Sequence, residues 1–327
     1  MPEIMDADWD GFIDLPTHLE EDLIEIGSTL PAWSVEGAFL AVSTIERYRA
    51  ELDSASLFGA IRSRLLAQLK GATGGYAVVR LRNTAQALGI GDQFLRLATA
   101  ILAEVAIPFQ PFQRWPLWKE IGTNLNANPC LSTGTGYNAF HMDLVNATQP
   151  PDYTTLLCVR PDPLGAGASI LSNTREAVSR LTPSTRALLA DVACSYGGFF
   201  ELSDVGEEYK PFPVLDGEST GSGFVRFTAK MLTESALDEA HTYAARELAD
   251  QMVAGQVSFT LQRGDLLIVN QHRWVHGREA LADSQHDIEP ERRRLLLQLF
   301  LRDRGPAEPA ASQVMRGECP TIPHRSS

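Results

Sequence analysis

Two segments of the chain carry residues that could bind a metal together. The first, FHMD at residues 140–143, places a histidine and an aspartate two positions apart. Alternate residues of a β-strand point to the same face, so His141 and Asp143 are predicted to aim at one point. The second segment, RGDLLIVNQHRWVHGR at residues 263–278, supplies His276 after an apolar strand. The HxD pair alone is weak evidence, so the prediction depends on both segments.

Two imidazoles and one carboxylate on one face of an octahedral metal leave three positions open. This arrangement suits iron(II), which must bind a bidentate keto acid and then O2. A structural zinc site would instead fill all four of its positions with protein ligands. His272 lies four residues before His276, but the glutamate of an HExxH zinc helix is absent. His272 is therefore predicted not to bind the metal.

The first 70 residues are predicted to be helical. Thr17 and Glu20 have the spacing of a capping box at a helix start. Residues 36–69 carry apolar side chains at intervals of three and four, which is typical of helices. After a glycine-rich break, YAVVRL is predicted to be a strand, and residues 93–106 return to the helical pattern.

From about residue 109 the pattern changes to short β-like runs separated by Gly, Pro, Asn and Asp. The runs are YNAFHMDLV, YTTLLCVR, ASILS, GFVRFT, QVSFTL, DLLIVNQ and RRLLLQLFLR. Many short strands with this spacing predict an antiparallel sandwich or barrel. Two helices are predicted among them, at residues 175–193 and 234–253. The pattern indicates one domain over residues 1–327, with a core at 74–304 and a loosely ordered tail at 305–327.

Composition excludes some classes of partner. The 327 residues carry a net charge of −13, which argues against nucleic acid because its binding depends on lysine and arginine neutralising phosphates. The four cysteines form no CxxC pair, so reduced thiols are expected. The start of the chain lacks a signal-peptide pattern, and no apolar run approaches the roughly 20 residues that cross a bilayer. A cytoplasmic protein with a small-molecule substrate is predicted; the oligomeric state stays open.

The chain resembles the taurine dioxygenase and clavaminate synthase-like group of iron(II)/2-oxoglutarate oxygenases over residues 74–304. The resemblance is carried by FHMD, by PDYTTLLCVRPDPLGAGASILSN, by GDLLIVNQHRWVHGR and by RRRLLLQLFLR, in that order. It implies an α+β fold, with a double-stranded β-helix (jelly roll) core, flanking helices and a helical N-terminal region. It also implies that His141, Asp143 and His276 are the iron ligands and catalytic centre. Since related halogenases have a small residue at the aspartate position, Asp143 argues against halogenation.

The resemblance further implies an arginine after the HGR segment that binds the distal carboxylate of 2-oxoglutarate. A guanidinium suits this role because it pairs bidentately with a carboxylate. Alternation along the strand puts Arg294 on one face with Leu296, Gln298 and Phe300, and Arg293 on the opposite face. The resemblance then favours Arg294, with Arg292 as the second choice. Ser169 matches a family position whose hydroxyl helps to hold the same carboxylate.

Gln298 departs from the family pattern. It stands four residues after Arg294, where these enzymes usually carry a second arginine that binds an acidic group of the substrate. A neutral amide cannot form that charge-assisted pair. Either the substrate lacks a free carboxylate there, or another arginine, with Arg226 as a candidate, takes the role. The loop LSTGTGY, which contains Ser132, and a lid at residues 197–223 are further candidates for substrate contact.

The resemblance implies an oxygenase that uses Fe(II), 2-oxoglutarate and O2 and releases succinate and CO2. It would hydroxylate, desaturate or cyclise an unactivated C–H bond of an amino-acid-derived molecule in specialised metabolism, such as antibiotic biosynthesis. Two alternatives remain: a cupin-like ligand-binding or sensor protein without turnover, and a zinc hydrolase with the same three ligands.

Overall fold

A computed structural model describes residues 11–71, 74–112, 114–196, 212–216 and 224–303. The fold mixes helices and sheets. Its described helices are α1 Thr17–Thr29, α2 Val42–Leu52, α3 Phe58–Lys70, α4 Arg82–Leu88, α5 Asp92–Ala103, α6 Thr174–Ser179, α7 Pro183–Leu189, α8 Met231–Glu234 and α9 Glu239–Ala254. Its described strands are β1 Phe12–Asp14, β2 Val35–Glu36, β3 Phe39–Leu40, β4 Tyr76–Arg80, β5 Ile107–Phe109, β6 Lys119–Gly122, β7 Asn138–His141, β8 Tyr153–Arg160, β9 Ser169–Asn173, β10 Leu215–Asp216, β11 Phe224–Val225, β12 Gln256–Phe259, β13 Asp265–Asn270, β14 Trp274–Arg278 and β15 Leu295–Arg302.

Two main sheets organise the described residues. The larger sheet has nine strands in the order β1-β4-β13-β8-β15-β5-β3-β2, with β6 also pairing with β15. The smaller sheet has the order β12-β9-β14-β7, and β10 pairs with β11 alone. The β1–β4 pair is parallel and β13 is antiparallel to both of its neighbours. Strands β7 to β9 alternate between the two main sheets, and so do strands β12 to β15, which brings distant segments side by side.

The alternation of side chains along β13 explains how the layers pack. Leu266 and Ile268 belong to the apolar cluster that covers the larger sheet with helices α1 to α5. Leu267 and Val269 belong instead to the cluster that also contains Leu171 of the smaller sheet. Residues i and i+1 of a strand point to opposite faces, so this strand is buried on both sides. The functional side chains can therefore lie between the sheets, with helices outside.

The N-terminal region differs from the helical prediction. It contains the three helices α1 to α3, but also the strands β1, β2 and β3, which extend the larger sheet. These strands are two or three residues long, too short to show a period of two. The capping box was wrong as well: α1 begins after Pro16 without a side-chain cap, and the buried Glu20 carboxylate accepts a hydrogen bond from Asn83.

The second half follows the predicted strands with two differences. The helix predicted over residues 175–193 is two helices, α6 and α7, because Thr182 caps a new helix whose first residue is Pro183. The segment ending in HGR forms a separate strand, β14, after the turn that follows β13. Each run predicted as a strand contains one, although β7 and β11 are shorter than their runs. The tail at 305–327 lies outside the described residues.

No helix in the described ranges is long and apolar enough to cross a membrane.

Candidate metal centre and cavity

Two neighbouring strands of the smaller sheet bring the candidate histidines together. His141 is the last residue of β7 and lies opposite His276 of β14 in the antiparallel register. Directly paired residues of such strands project to the same face, and the two ring centroids are 4.4 Å apart. Residues separated by 135 positions in the chain are thus neighbours because of the strand pairing.

Asp143 reaches the same point by a different route from the one predicted. The strand ends at His141, so the expectation that His141 and Asp143 share one strand face was wrong. After the strand the chain turns, and Leu144 adopts a φ of 53°, which is unusual for a residue with a side chain. The Asp143 carboxylate Oδ2 nevertheless lies 3.5 Å from His276 Nε2. One ligand atom from each of the three residues lies within 4.8 Å of the other two.

The protonation of the histidines fits a divalent metal. His141 Nδ1 lies 2.8 Å from the carbonyl oxygen of Ala139, to which it can donate, and this leaves Nε2 as a ligand atom. Burial lowers the pKa of His276 to about 4, although the charge of Asp143 opposes this shift. A neutral imidazole is the form that binds metals. Two imidazoles and one carboxylate match the donor set that iron(II) takes in open facial sites.

Two glutamines hold the Asp143 residue from opposite sides. The Asp143 backbone N–H donates to Gln271 Oε1 at 2.6 Å, and Gln271 Nε2 donates to the Pro151 carbonyl at 2.9 Å. Gln298 Nε2 donates to Asp143 Oδ2 at 3.0 Å. Outer-shell hydrogen bonds of this kind orient the ligands of metal sites. Gln271 was not singled out from the sequence, because its partner Asp143 lies 128 positions away.

Replacing Gln271 with leucine is expected to weaken iron(II) binding about 10- to 100-fold. The change removes the acceptor for the Asp143 N–H and frees the turn that carries the carboxylate. Anaerobic titration calorimetry of the metal-free protein measures the affinity. Gln285→Leu is the matched control, because Gln285 is equally buried but donates to Asp162. Equal losses of iron affinity in the two variants would indicate a general packing defect instead.

The three candidate ligands border a cavity of about 640 Å³ between the two sheets. The larger sheet contributes one face of β15 and the residue before it, and four of the side chains that alternation places on that face line the cavity. They are Arg294, Leu296, Gln298 and Phe300. Leu297, Leu299 and Leu301 of the same strand pack towards the helices. The space therefore has a metal-binding end on one sheet and a cationic side chain on the other.

Arg294 is a buried cation that forms no ion pair in the described part of the chain, although the charge of Asp162 partly offsets the fall in its pKa. Its side chain is 8% exposed, and no described residue accepts a hydrogen bond or forms an ion pair with its guanidinium. Burial, reinforced by the nearby charge of Arg278, lowers the pKa of Arg294 to about 10. Ser169 is also buried and borders the same cavity. An anion bound here would compensate for the lost hydration of the guanidinium.

Comparison with known proteins identifies the family. The family described as "Taurine catabolism dioxygenase TauD, TfdA family" matches residues 47–299. The chain belongs to the TauD/TfdA dioxygenase family. A curated relative, the L-asparagine oxygenase of Streptomyces coelicolor, is 30% identical over 196 residues. That match covers 59% of this chain and 53% of the relative, so the chain spans about half the length of the curated relative it matches.

Solved structures agree with this TauD/TfdA assignment in fold. An asparagine oxygenase in complex with Fe(II), 2S,3S-3-hydroxyasparagine and succinate is 20% identical and covers 89% of this chain and 93% of its own, with a TM-score of 0.69. The non-heme iron oxygenase OrfP, in complex with Fe and alpha-ketoglutaric acid, is 17% identical. It covers 90% of this chain and 94% of its own, with a TM-score of 0.70.

The other residues singled out for this TauD/TfdA protein lie in different surroundings. Arg292 is exposed at the end of a 3₁₀ turn and does not line the cavity, unlike Arg294. The guanidinium of Arg226 is buried in an ion pair with Asp216 (Nε to Oδ2, 2.5 Å) and donates to backbone carbonyls, so this candidate for substrate contact is engaged in the fold. Ser132 is exposed and borders the cavity.

Two further predictions for this family member concern His272 and the lid, and Arg278 lies close to the same site. His272 bonds Asp152 and is not part of the metal cluster, in agreement with the sequence prediction. The Arg278 guanidinium donates to the carbonyls of Gly134 and Gly136, both at 2.8 Å, and so braces the loop that contains Ser132. The predicted lid at 197–223 falls mostly outside the described residues.

Proposed function

We propose that this chain is an iron(II)- and 2-oxoglutarate-dependent oxygenase that hydroxylates an unactivated C–H bond of an amino-acid-derived small molecule. The observation that carries the proposal is the shared cavity: the cluster of His141, Asp143 and His276 and the uncompensated cation of Arg294 border one space. When bound, iron(II) and 2-oxoglutarate with O2 supply the oxidation, in which 2-oxoglutarate becomes succinate and CO2 and the second oxygen atom enters the substrate.

The protein's part in this reaction is to hold and orient the reactants. His141, Asp143 and His276 would hold the metal and leave positions for the co-substrate. Arg294, with Ser169 beside it, would bind the distal carboxylate of 2-oxoglutarate, because a guanidinium forms charge-assisted bidentate bonds there. His276 and Arg294 are buried, and bonds to charged groups are stronger in such surroundings than in water. Desaturation or cyclisation would need the same residues and the same co-substrate.

The fold proposal is a double-stranded β-helix (jelly roll) core in a single domain over residues 1–327. Support comes from the alternation of chain segments between the two sheets and from the ligand positions on β7 and β14. A role in specialised metabolism, a small-molecule substrate and a cytoplasmic location belong to the same proposal. The L-asparagine oxygenase relative favours an amino-acid substrate. A sensor without turnover is the alternative that the first experiment must separate.

Release of succinate from 2-oxoglutarate tests the proposed activity. Purified protein is incubated with iron(II), ascorbate, O2 and a panel of amino acids and their derivatives, and succinate is measured by mass spectrometry. We expect succinate that depends on iron(II) and increases with a substrate of the panel, together with a product heavier by one oxygen. Binding of iron(II) and 2-oxoglutarate without succinate from any compound would favour the sensor. Turnover with zinc and without 2-oxoglutarate would favour the hydrolase.

A further inference from the structure

The side-chain amide of Gln298 already donates a hydrogen bond to the candidate metal ligand Asp143. Its nitrogen faces Asp143 Oδ2 at 3.0 Å and Thr154 Oγ1 at 3.3 Å. A carboxylate oxygen only accepts, so the atom that faces it must be the donor nitrogen. Both amide hydrogens are thereby directed to protein atoms, and only the carbonyl oxygen is left. An oxygen acceptor does not bind a carboxylate, so Gln298 cannot recognise an acidic group of the substrate.

Lys119 stands directly opposite Gln298 on the neighbouring strand. In the antiparallel pair of β6 with β15, Lys119 is the register partner of Gln298 and Ile121 is the partner of Leu296. Paired side chains lie on the same face, and all four of these residues line the cavity. A cationic side chain therefore occupies the same level of the cavity as the neutral amide that replaces the expected arginine.

The ammonium group of Lys119 is held in the cavity without an acidic partner. Its Nζ lies 3.5 Å from the ring centroid of Trp115, a cation–π contact. No hydrogen bond or ion pair joins Lys119 to another of the residues that the structure describes. Burial lowers the pKa of Lys119, the charge of Asp143 opposes this shift, and Arg114 adds to it. A half-buried cation that forms no ion pair with a described residue favours a bound anion next to it.

We propose that Lys119 binds a carboxylate of the substrate and that the substrate is therefore an acid, with its free carboxylate at this level of the cavity. The inference rests on the proposed function, because it names the substrate class of the same site. The residue that binds the acidic group would then lie on β6, at Lys119, instead of on β15 at the position of Gln298. The indole of Trp115 contacts the ammonium group of Lys119 and orients it. Lys119 is in this sense a specificity-determining residue.

Three other described cations of the cavity, Arg278, Arg294 and Lys230, are less suited to this role. The guanidinium of Arg278 donates hydrogen bonds to the carbonyls of Gly134, Gly136 and Glu279. Arg294 is assigned to the co-substrate. Lys230 lies before the short helix α8 and has no aromatic contact among the described residues. It lines the same cavity, which makes Lys230 a suitable position for a control.

The test compares acids with their neutral amides. Each standard L-amino acid and its α-carboxamide is titrated anaerobically into the enzyme loaded with iron(II) and 2-oxoglutarate, and the visible charge-transfer absorption of that complex reports binding. Compounds that bind are then assayed for kcat and KM. Three variants are compared with the wild type: Lys119→Met keeps the stem, Lys119→Arg keeps the charge, and Lys230→Met makes the control change elsewhere in the cavity.

We expect the wild type to bind at least one acid and to discriminate against its amide. Lys119→Met should weaken binding of the acid and raise its KM about 10- to 100-fold, with kcat changed little and the amide unaffected. Lys119→Arg should restore most of the affinity. Equal binding of acid and amide by the wild type, no binding of any acid, or a larger effect in Lys230→Met would overturn the assignment. Absence of the charge-transfer absorption itself would instead contradict the proposed function.

Discussion

Replacing His276 with alanine is expected to abolish iron(II) binding and to lower succinate release by well over 100-fold. Removing outer partners of metal ligands already costs about 10- to 100-fold in affinity or activity, and a ligand itself contributes more. His276 is buried, its Nε2 lies 3.5 Å from Asp143 Oδ2, and among the described residues the cluster holds no histidine beyond the two ligands His141 and His276. The loss should appear as absence of the charge-transfer absorption after anaerobic addition of iron(II) and 2-oxoglutarate.

A stability measurement separates lost metal binding from lost fold. A ligand that binds only the folded chain stabilises it by about 2.7 kcal/mol when its concentration is 100 times Kd. Iron(II) with 2-oxoglutarate should therefore raise the Tm of the wild type and leave the Tm of His276→Ala unchanged. The control is His286→Ala, since His286 is exposed in a 3₁₀ turn outside the cluster. If His276→Ala keeps both the absorption and the Tm increase, the metal centre is not where we place it.

The sequence predicts the elements of the candidate site better than it predicts their local geometry. Alternation along β15 separates Arg294 from Arg293, and the side chains on that face line the cavity. The same alternation does not place Asp143, because strand β7 ends at His141. A turn after the strand directs the Asp143 carboxylate towards His276. A period of two can place residues only as far as the strand continues.

Long-range register is what a single sequence does not display. Lys119 lies opposite Gln298 because β6 pairs with β15, and nothing local in LWKEIG indicates that neighbour. Arg226 has the charge expected of a residue that binds an acidic substrate. Its guanidinium instead pairs with Asp216 and donates to two backbone carbonyls. The two- and three-residue strands of the N-terminal region are missed for a related reason: they form because the larger sheet offers an edge, whereas their own residues have no strand period.

Because Arg294 forms no ion pair with a described residue, its burial should lower the stability of the protein when 2-oxoglutarate is absent. Because burial lowers the pKa of Arg294 to about 10, the charged guanidinium is less stable in the folded chain than in the unfolded one at any pH below that value. This cost is fully present at neutral pH and decreases as the pH rises through 10. The distal carboxylate of 2-oxoglutarate would remove this free-energy cost by pairing with the guanidinium. Binding of the co-substrate should therefore stabilise the folded protein, and loss of the arginine should weaken that binding.

Arg294→Ala is therefore expected to raise KM for 2-oxoglutarate between about 30-fold and about 5,000-fold, since removing one partner of a buried charge pair costs about 2 to 5 kcal/mol. The kcat at saturating 2-oxoglutarate should change much less. The KM of Arg294→Lys for 2-oxoglutarate should lie between those of the wild type and Arg294→Ala, because an ammonium keeps the charge without the bidentate geometry. Without 2-oxoglutarate the alanine variant should be no less stable than the wild type, as it no longer buries an unpaired charge.

The matched control for Arg294 is Arg292→Ala, two residues earlier, exposed and outside the cavity. Its KM for 2-oxoglutarate should stay within about twofold of the wild type, as surface substitutions usually change free energies by about 0.5 kcal/mol or less. A large increase in Arg292→Ala with none in Arg294→Ala would transfer the role to Arg292. Initial rates of succinate release over a range of 2-oxoglutarate concentrations decide between the two arginines, because only the residue that contacts the distal carboxylate combines a raised KM with a preserved kcat.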